Sequence, residues 1–244
     1  MSNALGLDIS SWQDIYTTPK QVNFDQMKLA GADFVFLKAS QGTPGGGWTD
    51  RTFVEYWKNS KAAGLLRGAY HFMTWDAPIP QADHFSSLLA EDPGELPPIC
   101  DYEWWKVTPS NAVGILASFI ARVKQNTGLQ AGIYTAPGYW QPHGSNNAFF
   151  AECPLWIAHW GARSPKVPAP WKSWEFWQET NKGDGKMYGV ESLQVDVDYY
   201  NGTTEELHRK YGELITAPPV QPEYTDAEKL AKLWTAHAEL HGWV

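Results

Sequence analysis

The stretch Pro97-Pro98-Ile99-Cys100-Asp101-Tyr102-Glu103-Trp104-Trp105 decides how the rest of the chain is read. Two prolines followed by a short apolar start and alternating residue types predict a strand over Pro98 to Glu103. Successive side chains of a strand point to opposite faces, so Asp101 and Glu103 share one side and Cys100 and Tyr102 the other. Two acids side by side on a strand call for a confined cavity. In low dielectric, like charges resist joint ionisation, so one carboxyl keeps its proton and can act as a general acid.

Working outward, similar apolar runs recur at Leu5 to Ile9, Phe34 to Ala39, Leu66 to His71 and Ala131 to Thr135. Helices are expected between them, at Asp25 to Ala30, Asp50 to Ala63, Ile79 to Leu89 and Ser110 to Asn126. Ser110 is the expected N-cap of the last, and Gly128 its stop. Three more strands follow, at Leu155 to His159, Glu175 to Gln178 and Leu193 to Asp198. Their links are short and hold Pro165, Pro168, Pro170, Gly183 and Gly185, which disfavour helix. The expectation is an α/β fold, a TIM-like barrel of the incomplete (β/α)5(β)3 type. A doubly wound sheet would want a glycine-rich phosphate loop after its first strand, and Asp8 to Gln13 offer none.

A chain of 244 residues suits one such core. We read residues 1–216 as the barrel, 217–224 as a Pro-rich linker and 225–244 as an amphipathic helix. Thr225 and Glu228 form a capping box at its start, and Leu230, Leu233, Trp234 and His237 share a face. Docking on the barrel, pairing with a second copy and contact with a wall or partner stay open for it, as does the oligomeric state.

Several classes are excluded. A formal net charge of −8 without a basic stripe argues against nucleic acid. No apolar run approaches the ~18 residues of a membrane span. Cys100 and Cys153 have no metal or redox spacing and read as free, buried thiols. The seven histidines lack ligand spacing, so no metal is expected. For His71 and His159, hydrogen bonding in a site and a satisfied core position are equally open. Gly45-Gly46-Gly47 lacks the Lys and Ser/Thr of a phosphate loop and reads as a flexible loop, so no cofactor is expected. The 14 Trp, 11 Tyr and 10 Phe exceed what a core of this size needs. Most are assigned to packing and the surplus to flat faces for sugar rings.

Other acids fall at matching positions. Asp8 ends the first expected strand, and Asp196 and Asp198 end the last, which lies beside the first in a closed barrel. Sites of such barrels gather at the C-terminal strand ends, so acids from three segments converge. A pair of carboxyls with divided roles is what glycoside hydrolysis needs.

The chain resembles glycoside hydrolase family 25, the Chalaropsis-type lysozymes. The resemblance rests on Gly6 to Gln13, Phe34 to Gly42, Gly68 to Phe72, Asp101-Tyr102-Glu103, Gly132 to Thr135, Leu155 to Ala158, Trp177-Gln178 and Val195 to Asp198, in family order. It implies an N-acetylmuramidase cutting the β-1,4 bond between N-acetylmuramic acid and N-acetylglucosamine, with peptidoglycan glycan strands as partner. It makes Glu103 the proton donor and Asp101 the partner carboxylate, with Asp8 and Asp196 in supporting acidic positions. Tyr70, Tyr134, Trp160, Gln178 and Asp198 become substrate contacts, Asp198 standing where the family often has Asn or Asp. Gln41 replaces a common Glu, and Cys100 a common aliphatic residue. Two other readings stay open, a non-catalytic glycan-binding barrel and a chitinase-like carbohydrase. With no signal peptide visible at Met1-Ser2-Asn3-Ala4, the expectation is a phage or prophage endolysin-like enzyme made in the cytoplasm and acting on the wall. Secretion is the alternative, if a leader has been removed.

Overall fold

The computed structural model describes residues 2–14, 22–42 and 47–212. The expected linker at 217–224 and helix at 225–244 lie outside the described residues, as do Gly45 and Gly46.

Strand β1 (Leu5–Ile9) leads through a 3-10 turn (Ser11–Gln13) to α1 (Phe24–Leu29) and β2 (Ala32–Gln41). A two-residue β3 (Trp48–Thr49) folds back on β2 before α2 (Phe53–Ala62). There follow β4 (Leu66–Phe72), α3 (Pro78–Leu88), β5 (Ile99–Asp101), α4 (Ala112–Thr127) and β6 (Gly132–Thr135). Two short helices, α5 (Pro137–His143) and α6 (Ala148–Ala151), precede β7 (Leu155–Ala158), β8 (Phe176–Asp184), β9 (Gln194–Tyr200) and α7 (Thr204–Tyr211). The sheet runs β1-β9-β8-β7-β6-β5-β4-β2-β3 and closes through β1–β2, leaving β3 outside the ring. Helices follow the first five barrel strands and none joins β7, β8 and β9, as expected.

One feature differs from a simple TIM barrel. Strand β9 is antiparallel to both β1 and β8, whereas the other barrel neighbours are parallel. The tight β8–β9 connection, which turns through Gly185 and Gly189, is too short for a crossover helix and returns the chain as a hairpin.

Strand alternation sorts side chains into two cores. Leu7, Ile9, Val35, Leu37, Ala69, Cys100, Ile133, Leu155 and Ile157 face outward and meet the helices. Phe34, Phe36, Leu66, Ile99, Trp156 and Phe176 fill the interior. There Phe36 stacks on Trp156 at 4.4 Å and meets Phe176 edge-on at 5.0 Å. Full burial of each such ring contributes about 1.5–3 kcal/mol. Glycines make the room: a Cβ on Gly6 would lie 2.3 Å from the Phe34 ring, and one on Gly68 2.2 Å from Phe36.

Helix α4 turns Ile115, Leu116, Phe119, Ile120 and Val123 to the barrel at helical spacing. Gly128, at φ 74°, ends it by donating its N–H to Lys124. Its N-cap is Asn111, not Ser110 as expected, and no side chain caps it. Helix α7 was not expected. Its signal was a capping box, Thr203 with Glu206, and it carries Leu207 and Tyr211 into the interior core.

Candidate active site

Asp101 is the last residue of β5, so Glu103 lies just past the strand rather than on it, a correction to the expected extent. The alternation persists because Tyr102 is anchored outward. Its N–H donates to Tyr134 O at 2.9 Å and its hydroxyl to His143 O at 2.8 Å, while Thr135 Oγ1 donates to its carbonyl at 3.1 Å. Its ring is boxed by Trp75, Tyr139 and Trp140. With Tyr102 so held, Asp101 and Glu103 both open on one cavity of about 360 Å³.

Asp8, Asp196, Tyr70, Tyr134, Trp160 and Gln178 line the same cavity. The reversed direction of β9 matters here. Asp196 lies near the start of β9, not at its end, and its register sets it opposite Asp8 at the top of β1. Asp198, two residues deeper, pairs with Gly6 and is fully buried below the cavity. It therefore cannot touch a sugar, and the expected substrate contact is corrected to a support beneath the floor.

Asp198 accepts a hydrogen bond from Trp156 Nε1 at 2.7 Å through Oδ1. Its Oδ2 is buried and, among the described residues, receives no N–H or hydroxyl. A hydrogen bond between the Asp8 and Asp198 carboxyls requires one of them to carry a proton. Burial raises both carboxyls well above the ordinary range, so the pair holds that proton between them. Asp8 is also raised, by burial and by the charges of Asp196 and Asp198, but Gln178 opposes this by donating Nε2–H to Asp8 Oδ2 at 2.7 Å.

Gln178 is itself oriented. Tyr134 OH and Trp160 Nε1 both donate to its Oε1, at 2.9 and 2.8 Å, which leaves its amide N–H groups for Asp8. Burial and the neighbouring Asp196 push Glu103 up to about 7, with Lys38 opposing. Asp101 is raised by burial and by Glu103, again against Lys38, and its Oδ1 is buried without a hydrogen-bond partner among the described residues. Burial raises Asp196 to about 6. The site can thus hold a protonated carboxyl near neutrality beside other acids.

Sequence reading missed Lys38, Trp12, Gln13, Ser10, Phe72, Trp156 and Asn181, which also line the cavity. Lys38 had a signal, a cation inside the apolar run Phe34 to Ala39. Trp12 is 77% exposed and Trp160 54%, so both stand at the mouth as flat faces. His71 points away from the cavity. It is buried between Phe85 and Phe119, bonded to Ser40 and Gln81, and burial lowers it to about 3. His159 accepts a backbone N–H from Lys166 at 2.9 Å. Cys100 and Cys153 are free and buried. Among the described residues, no three His, Cys, Asp or Glu side chains are grouped to hold a metal ion, and no helix is long and apolar enough to cross a membrane.

Residues 7–187 match the family described as Glycosyl hydrolases family 25. The chain is 34% identical over 222 residues to Lysozyme M1 of Streptomyces globisporus, covering 84% of this chain and 70% of that protein. It is 30% identical over 223 residues to the N,O-diacetylmuramidase of a Chalaropsis species, covering 84% and 97%. The crystal structure of a bacterial lysozyme from Streptomyces coelicolor superposes with a TM-score of 0.72 at 29% identity, covering 87% of this chain and 99% of that one. With its eight-stranded barrel, its acid-lined cavity and these likenesses, the chain belongs to glycosyl hydrolase family 25.

Proposed function

We propose that this chain is a muramidase that hydrolyses the β-1,4 bond between N-acetylmuramic acid and N-acetylglucosamine in peptidoglycan, with Glu103 as general acid. The observation that carries the reading is the joint opening of Asp101 and Glu103 on one cavity, with Glu103 held up to about 7. Glu103 donates its proton to the leaving glycosidic oxygen as the C1–O bond breaks, and a water later adds its oxygen to C1 and returns a proton to Glu103. Asp101 stabilises the positive charge that develops on the ring. Its unpartnered Oδ1 is suited to accept the N–H of the substrate's 2-acetamido group. Asp8 and Asp196 supply the surrounding negative charge, and Trp12, Trp160, Tyr70 and Tyr134 offer ring faces and hydroxyls to the sugars. The relatives named lysozyme and N,O-diacetylmuramidase support the same substrate class.

The substrate also sets the place of action. We infer that the chain works at the bacterial cell wall as a lytic enzyme, in the manner of an endolysin. Lysis of a suspension of bacteria by protein added from outside after membrane permeabilisation, against no lysis, tests this.

Release of reducing ends from purified peptidoglycan and from chitin, by the unaltered chain and by Glu103→Gln, tests the chemistry. Cleavage of peptidoglycan that falls about 10²- to 10⁴-fold in the variant is expected. Binding without cleavage would favour a glycan-binding barrel, and preference for chitin a chitinase-like enzyme.

A further inference from the structure

A lysine sits inside the mouth of the barrel among the acids. Lys38 is 7% exposed, and among the described residues it is the one cation lining the cavity. Its placement depends on a bulge. Lys38 pairs with Tyr70 and Ser40 with His71, so β2 gains one residue, Ala39, against β4. In a regular strand, residues three apart point to opposite faces, so Lys38 and Gln41 would be separated. The extra residue restores Gln41 to the side of Lys38, and Lys38 Nζ donates to Gln41 Oε1 at 2.8 Å. The same shift turns Ser40 outward to His71.

The ammonium is therefore held by a neutral amide and, among the described residues, has no carboxylate partner of its own. It also lies over the rings of Trp48 at 4.9 Å and Phe72 at 4.8 Å, which accept a cation on their faces. Phe72 pairs in register with Asp101, so this seat places the ammonium beside the end of β5. Tight burial of a lysine without a dedicated counter-ion is costly unless neighbouring charges balance it. The balancing groups are the site's own carboxyls.

We propose that Lys38 is a positioning residue for the cleavage step, a fixed counter-charge that holds Asp101 ionised while Glu103 keeps its proton. This rests on the reading of Glu103 as the acid. Around Lys38 the ionisable groups are Asp8 from β1, Asp50 after β3, Tyr70 and the outward His71 from β4, Asp101 from β5 and Glu103 just past it, Tyr134 from β6 and Asp196 from β9. Burial disfavours its charge, and the charges of Asp101, Asp50 and Glu103 favour it. Seated over Phe72, the register partner of Asp101, the cation is placed to favour the charged form of Asp101 at the strand end and so to drive the two protonation states apart.

The experiment compares pH profiles of kcat and kcat/KM on peptidoglycan for the full chain and for Lys38→Met, Lys38→Arg and Gln41→Glu. It adds carbon-13 NMR titration of the Asp101 and Glu103 carboxyls in each. In Lys38→Met the acidic limb, set by Asp101, is expected to rise by about one pH unit, and the basic limb to rise by less. Lys38→Arg restores most of the profile. Gln41→Glu gives Lys38 a carboxylate of its own and moves the limbs the same way as Lys38→Met, so it decides the matter if Lys38→Met does not fold. Loss of turnover with unmoved limbs and an unmoved Asp101 titration would overturn the proposal. If the unaltered chain cleaves nothing, the muramidase reading fails, and the Asp101 titration still decides the role of Lys38.

Discussion

Gln178 Nε2 donates to Asp8 Oδ2 at 2.7 Å, joining residues 170 positions apart across the seam where β8, β9 and β1 close the barrel. Because Tyr134 and Trp160 fix the other end of the amide, the bond aims Asp8 as well as holding it. Gln178→Leu removes a donor to a buried carboxylate, worth about 2 kcal/mol, so kcat/KM on peptidoglycan is expected to fall about thirtyfold. Gln178→Glu should fall further, because it places another negative charge against Asp8. Equal activity of the leucine variant and the unaltered chain would show that Asp8 needs no aiming.

The raised Glu103 ties activity and stability to the same pH range. As a general acid it works only while protonated, so kcat is expected to fall as pH rises through about 7. Asp196→Asn removes a charge that raises Glu103, so its basic limb should move to lower pH. The stability sign follows from the same shift. A carboxyl whose folded value exceeds its unfolded value favours folding most below the unfolded value of 4.5, and this contribution is lost as pH rises to about 7. Glu103→Gln should therefore be more stable than the unaltered chain at pH above 7, by about 2 kcal/mol after allowance for solvent at the mouth. Thermal unfolding at acidic and alkaline pH checks it, and a lower melting temperature for the variant at alkaline pH would refute it.

Asp198 gives a sharper contrast. Because the Asp8–Asp198 pair holds one proton, Asp198→Asn supplies a permanent donor toward Asp8 and keeps an acceptor for Trp156, and activity should stay within about threefold, as a net hydrogen bond is worth only ~1 kcal/mol. Asp198→Leu leaves Trp156 Nε1 buried without an acceptor, a penalty of about 1–3 kcal/mol in stability. Kinetics and unfolding of the two variants side by side test this, and a severe loss in the asparagine variant would mean that the pair needs two carboxyls.

Away from the cavity, Arg67 is fully buried on the outer face of β4. It donates to Glu95 at 2.7 and 3.0 Å and to Asp92 at 2.8 and 2.9 Å, and its guanidinium lies 4.5 Å from the Trp57 ring centre. Breaking such a network from one side leaves a buried charge without its partner. Glu95→Gln is expected to lose about 3 kcal/mol of stability with the pH profile of cleavage unchanged. Denaturant unfolding measures the loss, and a change below about 1 kcal/mol would mean that Asp92 alone suffices.

The strands were legible because each carries an apolar run whose alternation matches a pleated backbone, and β1 agrees with its expected bounds, Leu5–Ile9. Helix α4 was legible for the same kind of reason, apart from its cap. The acids Asp101 and Glu103 were legible as a pair, since a two-residue spacing survives a strand's ending if the residue between is pinned. Helix α7 was overlooked although its capping box stands in the sequence, because the short segment is mostly charged and carries only Leu207 and Tyr211 as apolar residues.

By itself, then, the order of apolar runs and breakers determined a barrel with five helical crossovers and three bare strands, and the identity of the acids at its mouth. Local spacing suffices for that, because backbone pleat and helical pitch are set within a few residues. Only the closed sheet decided that β9 runs backward, that Asp196 meets Asp8 while Asp198 sinks beneath the floor, and that a bulge turns Lys38 and Gln41 to one side. Those outcomes depend on register between strands far apart in the chain, and a step of one residue in register exchanges a side chain between cavity and core.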